Sequence, residues 1–263
     1  MNTPLIADTH VHLHDLYSVP AFLSAAADHF SKLSGQLRMS NPDCVLCFAD
    51  MPGQDSFARL KNESEGWEIT EQERGLRLTR TSDGRMLHAL PGHQLVTSES
   101  LEVLALGCRS RPSAGTHSLG EVIEHIREAE GIPVLPWGVG KWTGSRAQVL
   151  QELSSGQIRV RFADNGNRLR NSPLPASLRY AQDHHRFPLA GSDPLPLKSH
   201  EVRAGSYCSV WEPEEEGTAL ERLNFCLTHP VSVRWAGHLT SPVQFVLDQA
   251  VMQRNKHLPW LAK

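Results

Sequence analysis

The sequence predicts an α/β fold in which a mostly parallel sheet alternates with helices. Three observations carry that expectation. Short apolar runs of strand length recur between segments whose apolar residues fall at helical spacing. The clearer helices open on residues that cap them. The length, 263 residues, suits one closed α/β unit, so a barrel or distorted barrel is the natural arrangement.

The elements follow in order. Leu5 to Ala7 is a strand, and Val19, Phe22, Leu23, Ala26, Phe30 and Leu33 recur at helical spacing with Pro20 in the first turn. Asp43 to Ala49 is a buried strand. From Trp67 to Cys108 the period changes to two, giving a hairpin of Leu76–Thr81 and Arg85–Leu90 about Ser82-Asp83-Gly84. A second pair, Gln94–Thr97 and Leu101–Leu106, flanks Ser98-Glu99-Ser100. Ser118-Leu119-Gly120-Glu121 is a capping box for a helix that stops at Gly131. Strands at Ile132–Leu135, Ile158–Phe162 and Phe187–Ala190 then alternate with helices at Ser145–Leu153 and Ala176–His184. After the acidic run Glu212 to Glu216, two further capped helices begin at Thr218 and Ser241. The expected division is an α/β barrel domain over residues 1–205 and a helical C-terminal extension over 206–263.

Charge and cysteine usage exclude several classes. With 26 Lys and Arg against 29 Asp and Glu the net charge is −3, so the sequence gives no ground to expect a nucleic-acid or acidic-membrane binder. No apolar stretch is long enough to span a bilayer, and no cationic leader opens the chain, so a cytoplasmic location is expected. The five cysteines read as free thiols. Cys44 and Cys47 lie three apart in an apolar strand and therefore point to opposite faces.

Of the 14 histidines, two acquire a chemical reading. The first strand runs into Asp8-Thr9-His10-Val11-His12, and residues two apart in extended backbone share a face, so His10 and His12 can reach one ion. Asp8 stands where it can ligate or orient a ligand. A pair of core or surface histidines is the plain alternative. Near the other end, Phe187 to Asp193 is a strand delivering Asp193, where a barrel enzyme keeps a last metal ligand or a base acting on bound water. Gly191-Ser192-Asp193-Pro194 is also good turn chemistry. Lys141 and Arg168 follow strand ends and are candidates to neutralise an anionic substrate, with surface solvation the alternative. Arg159 and Arg161 share a strand face, which suggests an open edge or a polar cavity. His184-His185 closes a helix, and Trp137 and Trp142 flank the expected mouth.

Over roughly residues 5 to 197 these segments resemble the PHP family, the polymerase and histidinol-phosphatase type of metal-dependent phosphoesterase. Asp8 to His12 is similar to its Asp-x-His-x-His opening, Pro91-Gly92-His93-Gln94 to its Pro-Gly-x-Glu, and Gly191-Ser192-Asp193 to its closing Gly-Ser-Asp-x-His. Ile132 to Gly138 is similar to the strand that normally ends in a metal-binding His. The resemblance implies a distorted (βα)7 barrel, here with a hairpin-rich middle. The chain departs from the pattern in four places: Met51 follows Asp50 where a His is expected, Gln94 replaces a bridging Glu, and Trp137 and Leu195 replace His. Thioether and indole are poor ligands for hard cations, which excludes a trinuclear site and leaves His10, His12 and Asp193 for one divalent ion (zinc, iron or manganese) or none. Asp8, Asp50, Gln94 and Asp164 occupy supporting positions. The implied function is metal-dependent hydrolysis of a small anionic ester, foremost a phosphoester, with Asp193 ligating or taking a proton. The expected partner is a small anionic molecule, not nucleic acid or membrane, and the oligomeric state is left open. An inactive barrel that binds a ligand or partner, and an amidohydrolase-like one-metal hydrolase, are the alternatives.

Overall fold

The structure, a computed structural model, describes residues 3–138, 140–149, 160–184 and 186–257. The first apolar run forms β1 (Leu5–Val11), buried along its whole length. Both of its edges carry ladders: β2 (Asp43–Phe48) pairs with it in parallel and β11 (Tyr207–Trp211) antiparallel. The sheet continues from β2 through β5 (Met86–Leu90), β4 (Gly75–Arg80) and β3 (Trp67–Gln72), and ends beyond β11 at β12 (Arg234–Gly237). A second sheet runs β10-β9-β8-β7-β6, where β6 is Gly92–Val96, β7 Glu102–Leu106, β8 Ile132–Pro136, β9 Arg161–Asn165 and β10 Leu189–Gly191. The hairpin-rich middle is present as β3–β4–β5 and β6–β7.

The fold is mixed α/β, but the strands do not close into the expected (βα)7 barrel. Because β11 occupies the edge of β1 that a last barrel strand would use, β10 has no ladder to join. Side chains make the seam instead: the Thr9 hydroxyl donates to the Ala190 carbonyl (3.0 Å), and the Ala190 N–H donates to the Ser209 hydroxyl (2.7 Å). At the second seam a single bridge, Asp50 to His93, links the sheets. The C-terminal segment is likewise not a purely helical extension. Its strand β11 is buried throughout, and α5 (Ala219–Thr228) packs Leu220, Leu223 and Leu227 against the interior residues of both sheets.

Helix α1 (Val19–Leu37), capped by Ser18, buries the six apolar residues that share its face, and α2 (Ser56–Glu63) follows β2. The expected capping boxes form at α3 (Leu119–Glu128) and α5. Helix α4 (Ala176–Asp183) covers β9, and α6 (Pro242–His257) ends the described chain. Cys44 and Cys47 enter different core clusters, and burial pushes both thiols up, Cys44 to about 12, so neither is reactive at neutral pH. Arg161 is half-buried on the wall of a partly polar cavity, not at an open edge, and its guanidinium donates to the carbonyls of Cys226, Leu227 and His229 at the end of α5. Residues 150–153 of the expected Ser145–Leu153 helix, Ile158, Arg159 and His185 lie outside the described residues.

Candidate metal centre and its cleft

A bulge in β1 aims the two histidines. Asp8 pairs with Leu46 and Val11 with Phe48, so three residues of β1 advance against two of β2. Ile6 and Val11, an odd number of residues apart, consequently pack in the same core layer, and His10 and His12 take the opposite face. Asp8 does not share that face. Its carboxylate instead accepts from the N–H groups of Ser192 (2.8 Å), Gly205 (2.8 Å) and His10 (3.3 Å), and from the Ser192 hydroxyl. Burial raises this carboxyl to about 6 even against those bonds. Its part is to tie β1 to the segment carrying Asp193.

His10 Nε2 and His12 Nε2 stand 3.0 Å apart, and Asp193 Oδ1 lies 3.6 and 3.4 Å from them. These separations straddle about 3.4 Å, the edge of a tetrahedron whose centre lies about 2.1 Å from each corner. Among the described residues they are the group whose donor atoms could hold a metal ion. Burial, with His10 and His14 adding to it against Asp193, pushes His12 down to about 3, so its ring is neutral, the form that ligates. With protons on Nδ1 the two Nε2 lone pairs face one another, an arrangement that a cation relieves. His10 Nδ1 is buried without a hydrogen-bond partner, and the outer contact of His12 is with the Ala49 backbone, so ring packing contributes to orienting the pair. The donor set fits one divalent ion.

Asp193 is held by neighbours that the sequence reading missed. The Asn165 amide donates to Oδ2 at 2.5 Å and the Asn167 amide at 3.2 Å, so Oδ1 alone is left to the histidines. Burial would raise this carboxyl, but His10, His12, Asn165 and Lys141 outweigh it and hold it at about 2. The alternation of Asp164-Asn165-Gly166-Asn167 after a strand was the available signal. Its meaning emerges only from the pairing of β9 with β10, which sets Asn165 beside Gly191.

The other expected residues divide. Gln94 Oε1 lies 3.1 Å from His10 Nε2, within the group. Lys141 lines the same cleft as Asp193 and is paired with Glu102. Asp50 is turned away to accept from the N–H and hydroxyl of Ser56, the first residue of α2. Arg168 is not at the mouth: it is buried and bonded to Asp164 at 2.7–3.1 Å, with the Tyr207 hydroxyl on the same carboxylate. An ion pair so enclosed fastens β9 to β11 and leaves no charge for a substrate. Trp142 packs on Phe162, whereas Trp137 and Leu195 line a cleft of about 1340 Å³ that opens over Asp193.

No family model matches the chain, and no curated protein matches it either. Solved structures do match. PsfC from Pseudomonas syringae PB-5123 is 18% identical, with a TM-score of 0.58 over 95% of this chain and 98% of its own. The lesion-specific endonuclease PfuEndoQ from Pyrococcus furiosus is 12% identical, with a TM-score of 0.55 over 89% of this chain and 59% of its own. A two-domain protein from Bacteroides vulgatus ATCC 8482, containing a predicted PHP-like metal-dependent phosphoesterase, is 10% identical, with a TM-score of 0.50 over 90% and 66%. The chain has a PHP-like fold.

At these identities the likeness speaks for the PHP-like architecture, and the chemistry has to come from the residues. It does overturn one expectation. Net charge led to nucleic acid being excluded as a partner, yet PfuEndoQ is an endonuclease, and an Endonuclease Q complex with a 27-mer duplex also shares the PHP-like fold (TM-score 0.51). Whole-chain charge averages over the surface, whereas a phosphate-binding site is local. Membrane spanning is a separate matter: no described helix is long and apolar enough for it.

Proposed function

We propose that the chain is a metal-dependent phosphoesterase that works with one divalent ion held by His10, His12 and Asp193. The observation that carries this reading is the convergence of two buried imidazole nitrogens and one carboxylate oxygen, all within 3.6 Å of one another, with Asp193 on the wall of an open cleft. Three protein donors leave one position for water or substrate, as in catalytic and not structural zinc sites. Zinc, iron or manganese suits the set, and when bound would lower the pKa of water and draw charge from a phosphoryl oxygen.

The chain's own residues set the conditions for that chemistry. Asp193, ionised across neutral pH and offering one oxygen, is a fixed anionic donor; a carboxyl held at about 2 is a weak proton acceptor. Asn165 and Asn167 keep it from turning. Gln94 places a neutral oxygen where a second carboxylate would invite a second ion. Lys141, on the cleft wall with Lys198 and Arg254, is a cation available to phosphoryl oxygens, with Glu102 steadying it. The unpartnered Nδ1 of His10 favours a second reading, a PHP-like module that binds a ligand in this cleft without turning it over.

Hydrolysis of p-nitrophenyl phosphate and its bis-ester by the full chain, with zinc, manganese or iron added, separates the two. The expected result is turnover that a chelator abolishes and that falls about 100-fold or more in His12→Ala and Asp193→Asn. Turnover that survives chelation, or that is unchanged in His12→Ala, contradicts the hydrolase reading.

A further inference from the structure

Helix α6 is turned inside out. Asp248 is 4% exposed, whereas Val243, Val246 and Leu247 are 71, 65 and 55% exposed. A helix docked on a globule ordinarily buries its apolar stripe and leaves carboxylates in water. Here polar groups make the docking. His200 Nδ1 accepts from the Leu195 N–H at 3.0 Å, so its proton sits on Nε2 and is donated to Asp248 at 3.0 Å. The Gln244 amide donates to the other Asp248 oxygen at 2.7 Å. Asp248 and His200 therefore fasten α6 to the loop directly after Asp193.

Of these exposed apolar residues, Leu247 faces the cleft. Leu247 and Met252 of α6, Leu195 and Leu197 of the loop, and Trp137 line it together with Asp193. The space thus brings the anionic donor and Lys141 together with an apolar patch on a wall that is otherwise mixed, with Gln244 and Gln249 of α6 among its polar members. We propose that α6 supplies an apolar subsite, and that the phosphoester taken by the site carries an apolar or aromatic group beside its phosphoryl group. This rests on the phosphoesterase reading for the seat of the phosphoryl end. Leaving Leu247 in water costs stability, a cost that contact with an apolar ligand removes.

The test is calorimetric titration of the full chain, supplied with zinc, with 1-naphthylphosphonate and with methylphosphonate, neither of which is hydrolysed. The naphthyl compound should bind at least about tenfold tighter, and the charge-neutral change Leu247→Gln should remove most of that preference by weakening the naphthyl compound more than methylphosphonate. Met252→Gln should act in the same direction. Equal affinity for the two compounds, no binding of the naphthyl compound, or a preference that survives both substitutions overturns the proposal. Turnover of p-nitrophenyl phosphate is scored separately: preference without turnover sinks the hydrolase reading and keeps the subsite, and turnover without preference does the reverse.

Discussion

Asp193 takes a left-handed backbone conformation, φ +47°, that L-residues other than Asn and Asp rarely adopt, and its N–H donates to the His10 carbonyl at 2.9 Å. The loop beyond it is pinned by His14 on the Pro194 carbonyl (2.8 Å), by Tyr17 on Leu195 and by His200. Held in this way, the carboxylate meets the histidines without waiting for an ion to order it. A residue away from the site contributes to the response to acid. Burial, with Arg77 adding to it, holds His88 at about 4, well below a free imidazole. As pH falls from about 6.5 towards 4 the unfolded chain takes up this proton first, so stability declines across that window and is level with respect to His88 above it. Urea unfolding at pH 7 and pH 4.5 should show a smaller loss for His88→Gln than for the parent; equal losses would remove His88 as the cause.

At the scale of elements, the seam between β1 and β10 depends on a glycine. A Cβ at Gly191 would meet His10 N and Cβ at 2.5 Å, whereas one at Gly35 in α1 would meet nothing within 4 Å. Gly191→Ala should lower the unfolding midpoint, and Gly35→Ala should raise stability by about 0.5–1 kcal/mol. Similar changes in the two variants would contradict the tight seam. The helices other than α2, the capping boxes and the hairpins were legible in the sequence because their signals are local: Ser118 and Glu121, or Ser82-Asp83-Gly84, need no knowledge of partners, whereas α2 is eight residues long with only Ser56 and Leu60 buried. Tyr207–Trp211 was not recognised, since a five-residue run announces a strand weakly and its partner β1 lies some two hundred residues away. In the site, His10, His12 and Asp193 were readable from strand ends. The face of Asp8 was hidden by the bulge, and the enclosure of Arg168 by its contact with Asp164 and Tyr207.

For the whole molecule, two sheets share one interior against which α5 packs, while the candidate site reaches, through Asp193, a cleft flanked by the loop after β10 and α6. The expected boundary at residue 205 would therefore cut through a common core. A chain ending there loses β11 from the edge of β1 and exposes Leu5, Ala7 and Val45. Such a fragment should lack a cooperative unfolding transition; a cooperatively folding fragment would show that the C-terminal segment is a separate unit. The central claim, that His10, His12 and Asp193 share one ion, is tested most directly by elemental analysis of the full-length protein and of His10→Ala after dialysis against zinc, with folding checked by circular dichroism. The expected result is about one ion per folded chain in the parent and almost none in the variant. A folded parent without metal, or equal metal in both proteins, would contradict it.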